Sequence, residues 1–262
     1  MKRKKNRLAA AERAYRLGKS FNTPNTNLPK FNKQEPQALF HQTFSPTIME
    51  CKAPERFIDI INGVGDVVLK DNNLSKQYDF SESLVGKVSK EVKIPVKDKE
   101  DANFCLNIMR TACLGYLKQM IMFNRSYEWN KLSNNNKNPK LENIHLTQSW
   151  IVSQYKHEYN PWHKHSGHFS GVVYLKIPEK MEEHFQEEIK DHYPASGLIE
   201  FQYGSSLDFR SDTYMVKPTL GKMLVFPAWL KHSVYPFYCD GERRSMSFNA
   251  HYIMPEEKND NN

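Results

Sequence analysis

From about residue 141 onward the chain is a succession of short segments, separated by turns, in which polar and apolar residues alternate. In the last of them, Arg243 and Ser245 fall on one side of an extended strand, whereas Met246 and Phe248 fall on the other. Further strands are predicted at 147–155, 163–165, 171–177, 198–203, 213–216, 223–227 and 233–236. Many short strands at regular spacing predict a β-sandwich or a jelly-roll barrel.

The first 140 residues have a different pattern. Apolar residues recur at helical spacing from Phe57 to Val68, and again between Asp101 and Tyr127. We expect these helices to pack on one side of the strands, which gives a mainly β domain with supporting α structure. The predicted organisation is a basic, flexible arm at 1–35, an α-rich support region at 36–140, a β core at 141–254 and a polar tail at 255–262.

The net charge of +7 lies at one end of the chain. Residues 1–19 hold eight Lys or Arg residues and one acid, so the remaining residues are neutral overall. A solvated arm is the expected structure, and contact with nucleic acid is expected only through it. Four cysteines form no CxxC pair, and no long apolar run or secretion signal is present. We therefore expect a reduced, cytoplasmic protein without a membrane span.

Three histidines of the β region suit a metal site. His163 and His165 stand two apart in YNPWHKHSG, and His232 follows in LVFPAWLKHSVYPF. Residues two apart on a strand share a face, so both imidazoles can reach one point, to which a later strand adds the third. From spacing alone, a pair of half-exposed strand histidines is the alternative. Arg243 and Ser245, two apart on another strand, predict a carboxylate clamp.

These motifs occur in the order HxH, then PxxGxxxxFPxxxxHxV, then RxS. In this order, and in the segments YNPWHKHSG, SGVVYL and ERRSMSFN, the chain resembles the 2-oxoglutarate- and Fe(II)-dependent oxygenases, and more narrowly an oxygenase family of bacteria and phages. The resemblance covers about residues 145–254. It implies a double-stranded β-helix, which is a cupin-like jelly roll with helices on one side.

The resemblance also implies roles for single residues. His163 and His232 match the two histidine ligands of the iron, and Arg243 matches the arginine that pairs with the distal carboxylate of 2-oxoglutarate. Ser245 matches the hydroxyl beside that arginine. Tyr155 stands eight residues before His163, where a tyrosine of related enzymes contacts the cosubstrate; a buried strand tyrosine is the alternative.

The chain departs from the usual triad of two histidines and one carboxylate, because His165 stands where the acid is expected. We interpret His165 as the third ligand. Alternatively, it is no ligand and leaves an open position, or an acid from elsewhere, such as Glu200, completes the set. Three histidines are also a zinc arrangement.

The expected function is therefore a dioxygenase that uses Fe(II), O2 and 2-oxoglutarate to hydroxylate an unidentified small molecule or peptide, with succinate and CO2 as co-products. No catalytic residue is expected beyond the metal site. A zinc-dependent cupin-like enzyme and a non-catalytic jelly-roll module with a structural metal are the alternatives. The acidic segment at 178–197 is expected to form part of the substrate rim, with Glu182, Glu183 and Glu187, or to be a solvated surface helix.

Overall fold

The computed structural model describes residues 46–83, 85–123, 139–181, 195–208 and 211–253. The predicted arm at 1–35 and tail at 255–262 lie outside these ranges. Within them the chain forms ten strands and three α-helices. In chain order they are β1 (Met49–Lys52), α1 (Glu55–Lys70), α2 (Asn72–Gln77), β2 (Lys90–Lys93), α3 (Lys99–Met122), β3 (Ile144–Gln154), β4 (Asn160–His163), β5 (Phe169–Lys176), β6 (Ile199–Gln202), β7 (Thr213–Val216), β8 (Lys222–Pro227), β9 (Lys231–Val234) and β10 (Arg243–Tyr252).

The strands form two antiparallel sheets. The larger sheet has the order β1-β8-β5-β10-β3-β2, and the smaller sheet has the order β4-β9-β6-β7. From β3 to β6 and from β7 to β10 the chain alternates between the sheets, and the antiparallel pair β6–β7 joins the two halves within the smaller sheet, as in a jelly roll. The predicted double-stranded β-helix is therefore confirmed. Strands β1 and β2, which precede the predicted β core, form the two edges of the larger sheet.

Helices α1 and α3 cover the outer face of the larger sheet. Phe57 and Ile61 of α1 and Cys113 of α3 are buried in one apolar cluster with Met246 and Phe248 of β10. Burial raises the pKa of the Cys113 thiol to about 12, so this cysteine acts as a small apolar side chain. The expectation that the helices pack on one side is confirmed. No helix in the described ranges is long and apolar enough to cross a membrane.

Strand boundaries differ from the prediction in two places that matter for the site. The strand expected at 163–165 is β4, which ends at His163, so that His165 lies beyond it. There the backbone N–H of His165 donates to the carbonyl oxygen of Ala228 at 2.9 Å, which holds this segment against the end of β8. Strand β2 was not predicted, because its sequence KEVK has one apolar residue and therefore little strand character.

A second apolar cluster fills one part of the space between the sheets. It contains Tyr174 of β5, Phe201 of β6 and Phe226 of β8, all almost completely buried. Polar residues occupy the rest of this space. The two faces of β5 and β10 therefore differ: one is apolar and covered by helices, and the other faces the smaller sheet.

Arg244 of β10 joins the larger sheet to α1. Its guanidinium donates Nε and Nη2 to the two carboxylate oxygens of Glu242, at 2.7 and 2.9 Å. Nη1 lies 2.7 Å from the carboxylate of Asp66 in α1. The helix must come close for this contact, and a Cβ atom at Gly65 would lie 2.7 Å from Cδ1 of Ile151 and 3.2 Å from Nη1 of Arg244. A side chain at position 65 would therefore crowd Ile151 and Arg244 where α1 crosses the sheet.

Two glycines in the same helix allow a direct test of this close approach. Gly63 has open space around it, and Gly63→Ala is expected to stabilise the fold by about 0.5–1 kcal/mol through helix propensity. Gly65→Ala gains the same propensity but crowds Ile151 and Arg244, so it should be less stable than Gly63→Ala by about 1–3 kcal/mol. Urea unfolding of both variants measures the difference, and equal stabilities would contradict the packing described here.

Candidate metal centre and cavity

A cavity of about 380 Å³ lies between the two sheets. Strands from both sheets line it, and its walls hold histidines, acids, amides and one buried arginine. The lining residues are Glu82, Val85, Glu91, Trp150, Val152, Gln154, Asn160, His163, Lys164, His165, Ser170, Gly171, Val172, Tyr174, Ile199, Phe226, His232, Val234, Arg243, Ser245 and Ser247.

The smaller sheet brings the three predicted histidines together. His163 of β4 is paired in register with His232 of β9, so the two imidazoles stand side by side, with ring centroids 4.2 Å apart. The ring of His165 lies 5.0 Å from that of His163 and 5.2 Å from that of His232. Each residue offers one nitrogen, and these three atoms all lie within 4.8 Å of one another. Such a cluster can close around one metal ion.

Backbone carbonyl groups orient two of these imidazoles. Nδ1 of His163 donates to the carbonyl oxygen of Pro161 at 2.7 Å, and Nδ1 of His232 donates to that of Leu230 at 2.9 Å. Because a carbonyl oxygen only accepts hydrogen bonds, the proton of each neutral ring must be on Nδ1. The lone pair is therefore on Nε2, which is the atom a metal would use.

Burial also keeps the three rings neutral. It lowers the pKa of His163, and it lowers the pKa of His165 to about 4 with a further contribution from His163. Burial and the neighbouring His163 lower the pKa of His232 to about 3. At neutral pH all three imidazoles hence retain a lone pair for a metal.

Among the described residues, the cluster includes no carboxylate. The sequence offered Glu200 as an acid that could complete the ligand set. In β6 it pairs with Ser233, whereas its neighbour Phe201 pairs with His232. Successive side chains alternate across a strand, so Glu200 lies on the other face, where its carboxylate accepts a hydrogen bond from the hydroxyl of Tyr235 at 2.6 Å.

Arg243 lies inside the same cavity and is only 2% exposed. Its Nη1 donates to Oε1 of Gln154 at 2.9 Å, and its Cζ lies 5.1 Å from the centre of the Tyr174 ring. Gln154 is held in turn, because its Nε2 donates to the carbonyl oxygen of Glu158. Nε of Arg243 is buried without a hydrogen-bond partner among the described residues. A buried guanidinium that lacks a carboxylate partner is costly, and an anionic ligand would offset that cost.

Tyr174, rather than Tyr155, stands beside Arg243. The Tyr174 hydroxyl is completely buried and has no hydrogen-bond partner of normal geometry in the described part of the chain. It belongs to the cross-strand row that contains Ser245, which also lines the cavity. Tyr155 follows the last residue of β3, is 42% exposed and does not line the cavity. Tyr174 was detectable as the one hydroxyl-bearing residue of the apolar run VVYL.

Glu91 and Asn160 also line the cavity, and neither was predicted. Glu91 is 4% exposed, and its Oε1 has no hydrogen-bond partner within the ranges described. Burial, with the nearby carboxylates of Asp79 and Glu158, raises the pKa of Glu91 to about 7. No signal in the sequence indicated Glu91, because the strand that carries it has little strand character. Glu182, Glu183 and Glu187, the predicted rim residues, lie outside the described residues.

The segment that contains this site also matches a known protein family. Residues 148–249 match a family model described as "Putative 2OG-Fe(II) oxygenase". This segment, which contains the three histidines and Arg243, therefore matches the 2-oxoglutarate–Fe(II) oxygenase family that the sequence resembles. No curated protein matches the chain.

Three of the solved structures that the chain resembles are of the following proteins. A prolyl-4-hydroxylase of Pseudomonas putida covers 79% of this chain and 93% of its own length, at 12% identity and a TM-score of 0.40. A prolyl hydroxylase of Trichoplax adhaerens, solved with a peptide fragment of hypoxia inducible factor, covers 78% and 83%, at 13% identity and a TM-score of 0.43. A 2OG-Fe(II) oxygenase family oxidoreductase of Burkholderia pseudomallei covers 65% of each chain, at 12% identity and 0.33.

The raised pKa of Glu91 predicts a dependence of stability on pH. The folded protein holds this proton up to about pH 7, whereas an ordinary glutamate loses it near 4.5. Stability is therefore lost as pH rises between these values, and Glu91→Gln removes the loss. The variant should gain about 2–3 kcal/mol over the wild type between pH 4 and pH 8.

Urea unfolding at a series of pH values measures this gain. Glu82→Gln is the matched control, since Glu82 lines the same cavity but is exposed. Its stability should follow that of the wild type at every pH. A constant difference between Glu91→Gln and the wild type would show that Glu91 is not a buried, unpaired acid.

Proposed function

We propose that the chain is a 2-oxoglutarate- and Fe(II)-dependent dioxygenase that hydroxylates a small molecule or peptide and releases succinate and CO2. One observation carries the proposal: a single cavity contains both the three-histidine cluster and the buried guanidinium of Arg243, which has no carboxylate partner among the described residues. A metal and a dicarboxylate are the two ligands that these groups fit.

The donor set suits Fe(II). Three neutral imidazoles, two of them fixed by backbone carbonyls, offer nitrogen atoms within 4.8 Å of one another. Imidazole binds Fe(II) and Zn(II) alike, so these donors do not by themselves select the metal. His163 and His232 are the proposed ligands on the strands, and His165 is proposed as the third.

The other end of the proposed cosubstrate site is Arg243. Its guanidinium is held by Gln154, its Nε has no hydrogen-bond partner among the described residues, and Tyr174 and Ser245 line the same cavity. A carboxylate placed there would accept hydrogen bonds from both the guanidinium and the tyrosine. We therefore add Tyr174 to the proposed 2-oxoglutarate site, in the role that the sequence assigned to Tyr155.

Each part of the chain then has a defined task. When bound, Fe(II) supplies the activation of O2 that couples decarboxylation of 2-oxoglutarate to hydroxylation of the substrate. His163 and His232 would hold the metal in their Nδ1-protonated forms, with His165 as the third ligand, and Arg243 with Tyr174 would orient the cosubstrate. The apolar walls, including Val172, Ile199 and Phe226, limit the access of water to the reacting groups.

The deciding experiment is an anaerobic titration of the protein with Fe(II) and 2-oxoglutarate. Formation of a visible metal-to-ligand absorption band, followed by succinate release when O2 is admitted, is the expected result. A protein that binds Zn(II), forms no such band and releases no succinate would be the zinc enzyme or the structural-metal module instead.

Histidine variants test the ligand set. His163→Ala and His232→Ala should each weaken Fe(II) binding about 100-fold or more, because each removes a ligand. If His165 is the third ligand, His165→Ala should weaken it by about the same factor; an effect below threefold would favour the open position. His168→Ala is the control, since His168 is near in sequence but pairs with His251 outside the cluster. Anaerobic equilibrium dialysis measures all four.

Two neighbouring arginines test the cosubstrate site. Arg243→Lys keeps the charge but loses the fork, so 2-oxoglutarate affinity should fall about 10- to 100-fold. Arg244→Lys changes the adjacent side chain, which faces α1, and should leave that affinity within twofold although it weakens the fold. The absorption band at increasing 2-oxoglutarate gives both affinities. Equal losses in the two variants would disprove the assignment.

A further inference from the structure

Glu91 of β2 lies at one end of the cavity, where its carboxylate can accept hydrogen bonds. Its neighbour Val92 is buried in the apolar cluster beneath the helices. Because successive side chains alternate across a strand, Glu91 faces the opposite way, into the space between the sheets, where it lines the cavity. The carboxyl group is 4% exposed, and its Oε1 lacks a hydrogen-bond partner in the part of the chain described.

Cross-strand register places Glu91 relative to the proposed cosubstrate site. Glu91 pairs with Val152 of β3, Val152 pairs with Ser245 of β10, and Ser245 pairs with Tyr174 of β5. At about 4.8 Å between neighbouring strands, Glu91 is about 10 Å from Ser245 and about 14 Å from Tyr174 along this row. The two ends of the cavity can therefore hold two different chemical groups at once.

The two ends differ in hydrogen-bonding character. At the Tyr174 end, the unpartnered buried atoms are Nε of Arg243 and the tyrosine hydroxyl, which can donate. At the other end the unpartnered buried atom is Oε1 of Glu91, which accepts. An unsatisfied buried acceptor costs free energy, and a ligand with N–H groups would satisfy it.

Glu91 also forms no ion pair with a Lys or Arg among the described residues. Its pKa is raised by burial and by the carboxylates of Asp79 and Glu158. The two cationic side chains that line the cavity, Lys164 and Arg243, do not contribute to that shift. Nor does its carboxylate belong to the group of atoms that can share the metal. The counter-charge that would keep Glu91 ionised must then come from a ligand.

We propose that Glu91 binds a cationic nitrogen group of the substrate, a primary ammonium or a guanidinium, and thereby sets the substrate class. The assignment of the bound cation as substrate rests on the proposed function; the cation site itself rests on the side chains of this cavity alone.

The test uses the full-length protein without metal, carrying ¹³C at the glutamate side-chain carboxyl carbons. The probes are n-butylammonium, 1-butanol and butyrate, which share one chain and differ in their end group. n-Butylammonium should shift the Glu91 resonance in a saturable way and bind at least about tenfold more tightly than 1-butanol or butyrate, since a charge-assisted hydrogen bond is worth at least that factor.

Variants locate the site of binding. Glu91→Gln should weaken n-butylammonium binding about tenfold or more, whereas Glu82→Gln, which alters the exposed acid of the same cavity, should change it less than twofold. Equal binding by Glu91→Gln and the wild type would overturn the proposal. So would equal affinity of the wild type for n-butylammonium and 1-butanol, a comparison that needs no variant to fold.

A second measurement separates this inference from the proposed function. Iron-loaded Glu91→Gln should bind 2-oxoglutarate within twofold of the wild type under anaerobic conditions. A tenfold loss would assign Glu91 to the cosubstrate and overturn the cation site. By contrast, if the protein failed to bind 2-oxoglutarate at all while n-butylammonium still required Glu91, the proposed function would fail and the cation site would stand.

Discussion

The alternation of side chains along β10 separates two adjacent arginines, and the site depends on this separation. Arg244 faces α1, where Glu242 and Asp66 neutralise it completely. Arg243 faces the cavity, where its Nη1 donates to the amide oxygen of Gln154. A guanidinium does not lose its proton at physiological pH, so burial cannot remove its charge. The fold keeps this charge in place because β10 is paired on both sides, by β3 and β5, and cannot shift its register without moving every side chain of the central strand.

The two sheets supply different chemistry to the cavity. The smaller sheet contributes His163 and His232, whose imidazoles are oriented by carbonyls of their own segments, two residues earlier in the chain. The larger sheet contributes the charged groups, Arg243 and Glu91, on strands separated by β3. Because both sets lie on regular strands, their spacing is fixed by backbone hydrogen bonds rather than by loops. Such a scaffold can hold a metal and two organic groups in constant relative positions.

The absence of a carboxylate from the histidine cluster, in the part of the chain that the structure describes, has an electrostatic consequence. Three neutral imidazoles would leave the charge of a divalent ion uncompensated by the protein. An anionic cosubstrate would then supply compensation at the metal as well as at Arg243, so metal and dicarboxylate should stabilise each other's binding. This coupling follows from Coulomb attraction in a poorly solvated space and would weaken if an acid replaced His165.

Local periodicity, which depends only on residue order, determined much of this protein. It placed Arg243 and Arg244 on opposite faces of β10, with Met246 and Phe248 on the face that packs against the helices. The spacing of the three histidines, His163, His165 and His232, predicted that they share one metal site. Tertiary structure decided which residues far apart in the chain become neighbours, because periodicity describes only local order. Strand register across distant segments put Tyr174, not Tyr155, beside Arg243, and brought Glu91 from an unpromising KEVK segment to the far side of the same row. His165 reaches the cluster beyond the end of its strand, held by Ala228. These placements depend on backbone pairing between residues far apart in the chain, and no local pattern encodes that pairing.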